Sequence, residues 1–203
     1  MKKMIVDILL LILMLIEYSK TYLPSEIHEI IGIALIILVV IHLILNKNYL
    51  KSINNGKYNS RRKALLIVNI VFFISFGLTC LFGILSSHYI LPFLNIENLT
   101  IISYHKILAY ITLILLGIHL GFNLDKMFKK IGNKTMHLIE LAIIILGAYS
   151  FIQVDFYNHL TGNLGFSLAT GNVFINILEY LCIILMITVL TRLILSIILK
   201  KVN

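Results

Sequence analysis

The chain reads as an all-α membrane protein, a six-transmembrane-helix bundle with N- and C-termini cytoplasmic. Three observations predict this. Apolar residues make up 60% of the 203 residues and charged residues only 13%, about half the charge of an ordinary soluble domain. The apolar residues gather in runs of about 20, each long enough to cross a hydrocarbon core of roughly 30 Å. The basic residues fall in alternate connections between those runs. A soluble fold this apolar would lack the polar surface to stay in solution.

The expected spans cover about 4–22, 26–46, 63–87, 101–123, 136–154 and 174–199 within one domain, 1–203. The length leaves room for these spans and short loops, and none for a second soluble domain. Each span must be helical, because an open strand edge in lipid leaves backbone groups unpaired. The first run follows Met1, Lys2 and Lys3 in the manner of a signal peptide, but Asp7 interrupts its start and no small-x-small cleavage site follows. It is therefore expected to be a retained span.

Charge sets the orientation. Lys2 and Lys3 precede the first span, Lys47, Lys51, Lys57, Arg61, Arg62 and Lys63 follow the second, and Lys126, Lys129, Lys130 and Lys134 follow the fourth. Lys200 and Lys201 close the chain. The other three connections hold one lysine, Lys20, beside Glu17, Glu97 and Asp155. Six spans with cytoplasmic ends put every basic connection on the inner side. The net charge of +8 is thereby explained without nucleic acid. Cys80 and Cys182 stand alone in apolar surroundings and read as small buried hydrophobes. No Cys-x-x-Cys-His motif occurs, so heme is not attached covalently through that motif.

Four histidines carry the chemistry. His28 and His42 lie fourteen residues apart on the second span, and His105 and His119 fourteen apart on the fourth. Fourteen residues is close to four helical turns, so each pair shares a face with its rings ~21 Å apart along the axis. One intervening span makes the two helices parallel. His28 then meets His105 at the outer level, and His42 meets His119 at the inner level. Two facing imidazoles at one depth, with room for a flat macrocycle between the helices, are what bis-histidine heme needs. Two non-covalent b hemes are therefore expected. Gly32 lies one turn beyond His28, Ala109 one turn beyond His105, and Gly117 and Gly121 flank His119; these small residues are expected to make the room. A single membrane histidine is as often an interhelical hydrogen-bonder, but four such residues have no reason to repeat one spacing at matched depths. A bare metal ion would draw its ligands to one depth.

The stretch from His28 to Asn46 also aligns without gaps with that from His105 to Asn123, matching both histidines, Leu43 with Leu120, and the two asparagines. A duplicated helix pair would account for this. Periodicity does not set helix rotation, because lipid-facing and core-facing positions are both apolar.

The remaining polar residues read more plainly. His88, beside Tyr89 and before Pro92, could touch a heme propionate or a quinone head group, or be an interfacial residue. Lys106 could pair with propionates, or extend to the interface. His137 and His159 read as solvated, Arg192 as reaching the interface or a carboxylate, and Asp7 and Glu179 as in-span acids without an assigned partner.

Several pieces together carry a resemblance. They are His28-Glu29-x-x-Gly32 leading to His42-Leu43 and Asn46, the run from Gly83 through Ser86, His88 and Tyr89 to Pro92-Phe93, His105-Lys106 leading to Gly117-Ile-His119-Leu-Gly121, and Tyr149-Ser-Phe151. Over nearly its whole length the chain resembles a prokaryotic membrane family of unknown function found in loci for flavinylated extracytoplasmic electron carriers, itself similar to cytochrome b and ferric reductase membrane cores. The resemblance implies axial heme ligation by the four histidines, transmembrane electron transfer and a cytoplasmic membrane location. It departs at Lys47, where relatives often carry Trp.

With both axial positions filled, outer-sphere electron transfer is favoured over oxygen chemistry. No Gly-x-Gly-x-x-Gly motif or phosphate loop supplies a flavin or nicotinamide site. The expectation is an electron-transfer component rather than a self-contained enzyme, working between a quinol (menaquinone or another quinone) or a cytoplasmic dehydrogenase and an extracytoplasmic flavoprotein or metal acceptor. Two alternatives stand beside it. One is a heme-bearing, quinone-reactive anchor subunit of a larger oxidoreductase. The other is a heme-free transporter or assembly protein that uses the histidines for protons or metal, although the paired interrupted spans of a transporter are lacking.

Overall fold

A computed structural model describes residues 2–53, 55, 58–128, 133–163 and 171–202, without the side chains of 125–128, 133–135 and 199–202. Lys57, Lys129 and Lys130, on which the orientation partly rests, lie outside the described residues, as do the side chains of Asp125, Lys126, Lys134, Lys200 and Lys201.

Every regular element among the described residues is a helix. Six long helices stand at the six expected places: α1 (Lys2–Tyr18), α2 (Ser25–Leu45), α4 (Ser60–Ile84), α5 (Leu99–Phe128), α6 (Asn133–Gln153) and α8 (Val173–Val202). Two short helices, α3 (Lys47–Ser52) and α7 (Phe156–Thr161), sit in connections that the sequence left irregular. Five of the long helices are long and apolar enough to cross a membrane. The sixth, α1, has 17 residues and falls just short of a full span, because its helix gives way to a 3-10 turn at Lys20–Tyr22.

Local chemistry sets several helix starts. Asn59, Asn98 and Asn172 each accept a backbone N–H with their side-chain oxygen, from Arg62, Thr100 and Phe174 at 2.8 Å in each case. Each bond satisfies one of the amides that a helix start leaves without a partner. Pro24 precedes α2 with extended backbone (φ −54°, ψ 145°), as suits a residue that cannot extend a helix backwards.

The core lies between α5 and α8. Leu113, Ile183 and Ile184 are fully buried there. Glycine permits this approach. A Cβ at Gly117 would stand 2.7 Å from Ile187, and one at Gly121 2.6 Å from Thr191, while Gly147 on α6 faces Cys182 and Met186 of α8 in the same way. Thr188 donates to the Gly117 carbonyl at 3.1 Å, and Ser75 and Thr112 are hydrogen-bonded at 2.7 Å between α4 and α5. Small residues with hydroxyls bridging the helices are how membrane helices associate where no water drives burial. Arg192 of α8 pairs with Glu140 of α6, which His137 also approaches at 3.2 Å. Arg192 therefore faces a carboxylate.

The outer faces are apolar. Ile30, Ile37, Val40 and Ile44 on α2, and Ile67, Ile70, Phe73 and Ile74 on α4, are exposed. Such continuous faces on long helices suit contact with lipid. α2 and α4 are both thinly enclosed, with Leu35 and Ser75 respectively as the one buried residue of each. α2 packs chiefly on α1 and touches α4 only slightly.

Candidate functional site

The four histidines are held by two antiparallel hairpins, α1–α2 and α4–α5. In each hairpin the first helix supplies the polar partner and the second the histidine. His42 Nδ1 lies 2.7 Å from Asp7 Oδ1, and His28 Nδ1 lies 2.7 Å from Glu17 Oε2. His119 Nδ1 lies 2.8 Å from Asn69 Oδ1, and His105 Nδ1 lies 2.9 Å from the Thr79 carbonyl. The Asp7–His42, Asn69–His119 and Thr79–His105 contacts are hydrogen bonds. The Glu17–His28 contact is close but out of line, so that His28 Nδ1 and Glu17 Oε1 are buried without a hydrogen bond among the described residues.

These partners settle the tautomers. Carboxylates and carbonyls only accept, and the Asn69 amide nitrogen is already donated to Tyr49 Oη at 2.7 Å. Nδ1 must therefore carry the proton in His42, His105 and His119, and the Glu17 carboxylate favours the same tautomer in His28, so that Nε2 carries the lone pair. Fixing one ring nitrogen so that the other can bind metal is the usual outer arrangement of a ligating histidine. Neither Asp7 nor Glu17 nor Asn69 nor Thr79 was singled out from the sequence as a histidine partner. A signal existed: Asp7 and Glu17 are ten residues apart, and so are Asn69 and Thr79. That interval repeats between the first helices of the hairpins as fourteen repeats between the second.

The aligned asparagines behave alike as well. Asn46 donates to the His42 carbonyl at 2.9 Å and Asn123 to the His119 carbonyl at 2.7 Å. Their amide nitrogens also lie 3.5 and 3.4 Å from Nε2 of the same histidines, at the long limit of a hydrogen bond.

At the His28–His105 level the ring centres are 6.1 Å apart and nearly perpendicular. Two imidazoles sharing one metal through Nε2, with bonds of about 2 Å, bring their centres to roughly that distance. A cavity of about 140 Å³ lies between α1, α2, α4 and α5, walled by Glu17, His28, Gly32, Gly83, His105 and Ala109 among others. Gly32 opens it on the α2 side, where an added Cβ would find only Glu17, 4.0 Å away. Gly83, which the sequence reading left without a role of its own, opens it on the α4 side: a Cβ there would stand 3.0 Å from the His105 ring. The enclosed space is smaller than a porphyrin. At the other level His42 and Asp7 are electrostatic neighbours of His119, and Phe72 packs 5.5 Å from the His119 ring.

Two expectations about room need correction. Gly117 and Gly121 do not open space beside His119. They face α8, where Ile187 and Thr191 fill the position a side chain would take. Residues two positions from a helical histidine point to another face, and one wheel of apolar positions does not tell which face meets which neighbour.

Ala109 lines the cavity, and its carbonyl accepts the Tyr18 hydroxyl at 2.6 Å. Lys106 is exposed and outside the cavity wall. His88 is exposed and bonded to Asn95 at 2.8 Å. Its backbone, with those of Tyr89 and Ile90, instead donates to Glu29, which also accepts from the Ser87 hydroxyl at 2.7 Å. This clamp ties the connection after α4 to the N-terminal part of α2, and Glu29 and Ser87 also line the cavity. His159 stacks on Tyr110, 4.9 Å between ring centres. Among the described residues no group of three or more His, Cys, Asp or Glu is gathered for a bare metal ion.

Comparison with protein-family models, with curated proteins and with solved structures finds no match for this chain.

Proposed function

We propose that the protein is a diheme b-type membrane cytochrome that moves electrons across the cytoplasmic membrane of a prokaryote, with six spans and both ends cytoplasmic. The observation that carries this reading is the state of the four histidines. On α2 and α5, three of the four rings are hydrogen-bonded through Nδ1 to an acceptor on the preceding helix, and the fourth, His28, has the Glu17 carboxylate 2.7 Å from its Nδ1. At the His28–His105 level a cavity stands between the rings as well, which histidines that merely joined helices would not need.

His28 and His105 would hold one heme, and His42 and His119 the other. Each bound heme would supply a one-electron ferric–ferrous couple. Around it the chain positions and shields. Asp7, Asn69 and Thr79 fix three of the ring orientations by hydrogen bonds, and Glu17 lies against the fourth. Gly32 and Gly83 keep the cavity open, and the apolar walls of Ile33, Ile36 and Phe76 exclude water. Held by two histidines, each heme would offer no open position for oxygen. The electron donor is proposed to be a quinol or a cytoplasmic dehydrogenase, and the acceptor an extracytoplasmic flavoprotein or metal. In six spans, α1 would cross with the help of the Lys20–Tyr22 turn, which extends its reach.

The test is spectroscopic. Protein expressed with heme supplied and purified in detergent is expected to show a Soret band, a dithionite-reduced b-type spectrum and two hemes per chain. His42→Ala or His119→Ala is expected to remove one heme and leave the other. A folded, colourless protein would overturn the reading.

A further inference from the structure

The two helices do not hold their histidines alike. Both α2 rings face carboxylates, Glu17 and Asp7, whereas both α5 rings face neutral oxygens, the Thr79 carbonyl and the Asn69 amide. The hairpins match in spacing and differ in charge at the matching places.

We infer that Glu17 and Asp7 are positioning residues that hold the two redox groups at a lowered potential by polarising the α2 imidazoles. The inference rests on the diheme reading. A carboxylate opposite an imidazole N–H draws that proton toward itself, as Asp7 does in its hydrogen bond to His42, whereas Glu17, 2.7 Å from His28 Nδ1 but out of line, acts through its charge. The electron density left on the ring makes Nε2 the more basic ligand. Ferric iron carries one positive charge more than ferrous iron, and a mediator supplies the single electron that separates them. A nearby anion favours the ferric form and so lowers the midpoint. α2 thus provides the electron-rich ligand of each pair and α5 the ordinary one.

The two levels differ in strength. The Glu17 side chain is 15% exposed and the Asp7 side chain 52%. Water screens an exposed charge far more than an enclosed one, so the effect is larger at the His28–His105 level.

Optical redox titration of the purified holoprotein with mediator dyes tests this. Glu17→Gln and Asp7→Asn keep an acceptor oxygen and remove the charge. Each is expected to raise one of the two midpoints with heme content unchanged, Glu17→Gln by more. Asn69→Asp places a carboxylate opposite His119 and is expected to lower the midpoint that Asp7→Asn raises. Unmoved midpoints in heme-replete variants would overturn the inference. Should Glu17→Gln or Asp7→Asn lose heme, Asn69→Asp decides alone, and an unchanged midpoint there overturns it. A wild-type protein without a Soret band would instead sink the diheme reading beneath it.

Discussion

Glu29 shows how much one side chain can organise. Its carboxylate accepts the Ser87 hydroxyl and the backbone N–H groups of His88, Tyr89 and Ile90, at 2.7 to 3.0 Å. Hydrogen bonds to a charged group are worth about 1.5–3 kcal/mol, so Glu29→Ala is expected to speed hydrogen exchange at these three amides roughly ten- to a hundred-fold. Exchange measured by mass spectrometry checks this, with the α8 amides as the unchanged reference. The sequence draws the eye to His88 in this segment and gives little sign that its backbone is the part engaged. The same holds for Asp7. An acid inside an apolar run is visible at once, but its partner His42 is 35 residues away, and only the fold brings them together.

The elements were more legible than their rotations. Apolar runs mark each long helix to within a few residues, because bilayer thickness fixes how long such a run must be. Which face of α5 meets α8 is another matter, since Leu and Ile serve lipid and protein contacts equally well. Gly117 and Gly121 therefore pointed the wrong way when read by their distance from His119. Their true contact makes a sharp prediction. Inserting atoms into packed space costs about 1–3 kcal/mol, so Gly121→Ala is expected to lower the thermal midpoint in detergent by several degrees. Gly77 lies on α4 with nothing within 4 Å of an added Cβ. Gly77→Ala is expected to be neutral or stabilising by up to about 1 kcal/mol.

At the scale of the molecule, the bundle is two similar hairpins backed unequally. α5, which α4 packs on, is itself packed against α8, while α2 leans chiefly on α1. Spacing made the likeness of the hairpins visible, through fourteen residues between histidines and an asparagine after each pair. The inequality was not visible, because it depends on which helices α6 and α8 choose to cover. If the protein binds heme as proposed, withholding heme during expression is expected to raise hydrogen exchange along α2 and leave the buried segment around Ile183 and Ile184 of α8 unchanged.

The loosely backed α2 has a consequence for the life of the protein in the cell. If the proposed hemes bind, a helix that gains a second partner only with them would remain a target for membrane proteases until then. Turnover would thus select for loaded copies, and the amount of protein in the membrane would follow the supply of heme without any dedicated sensor.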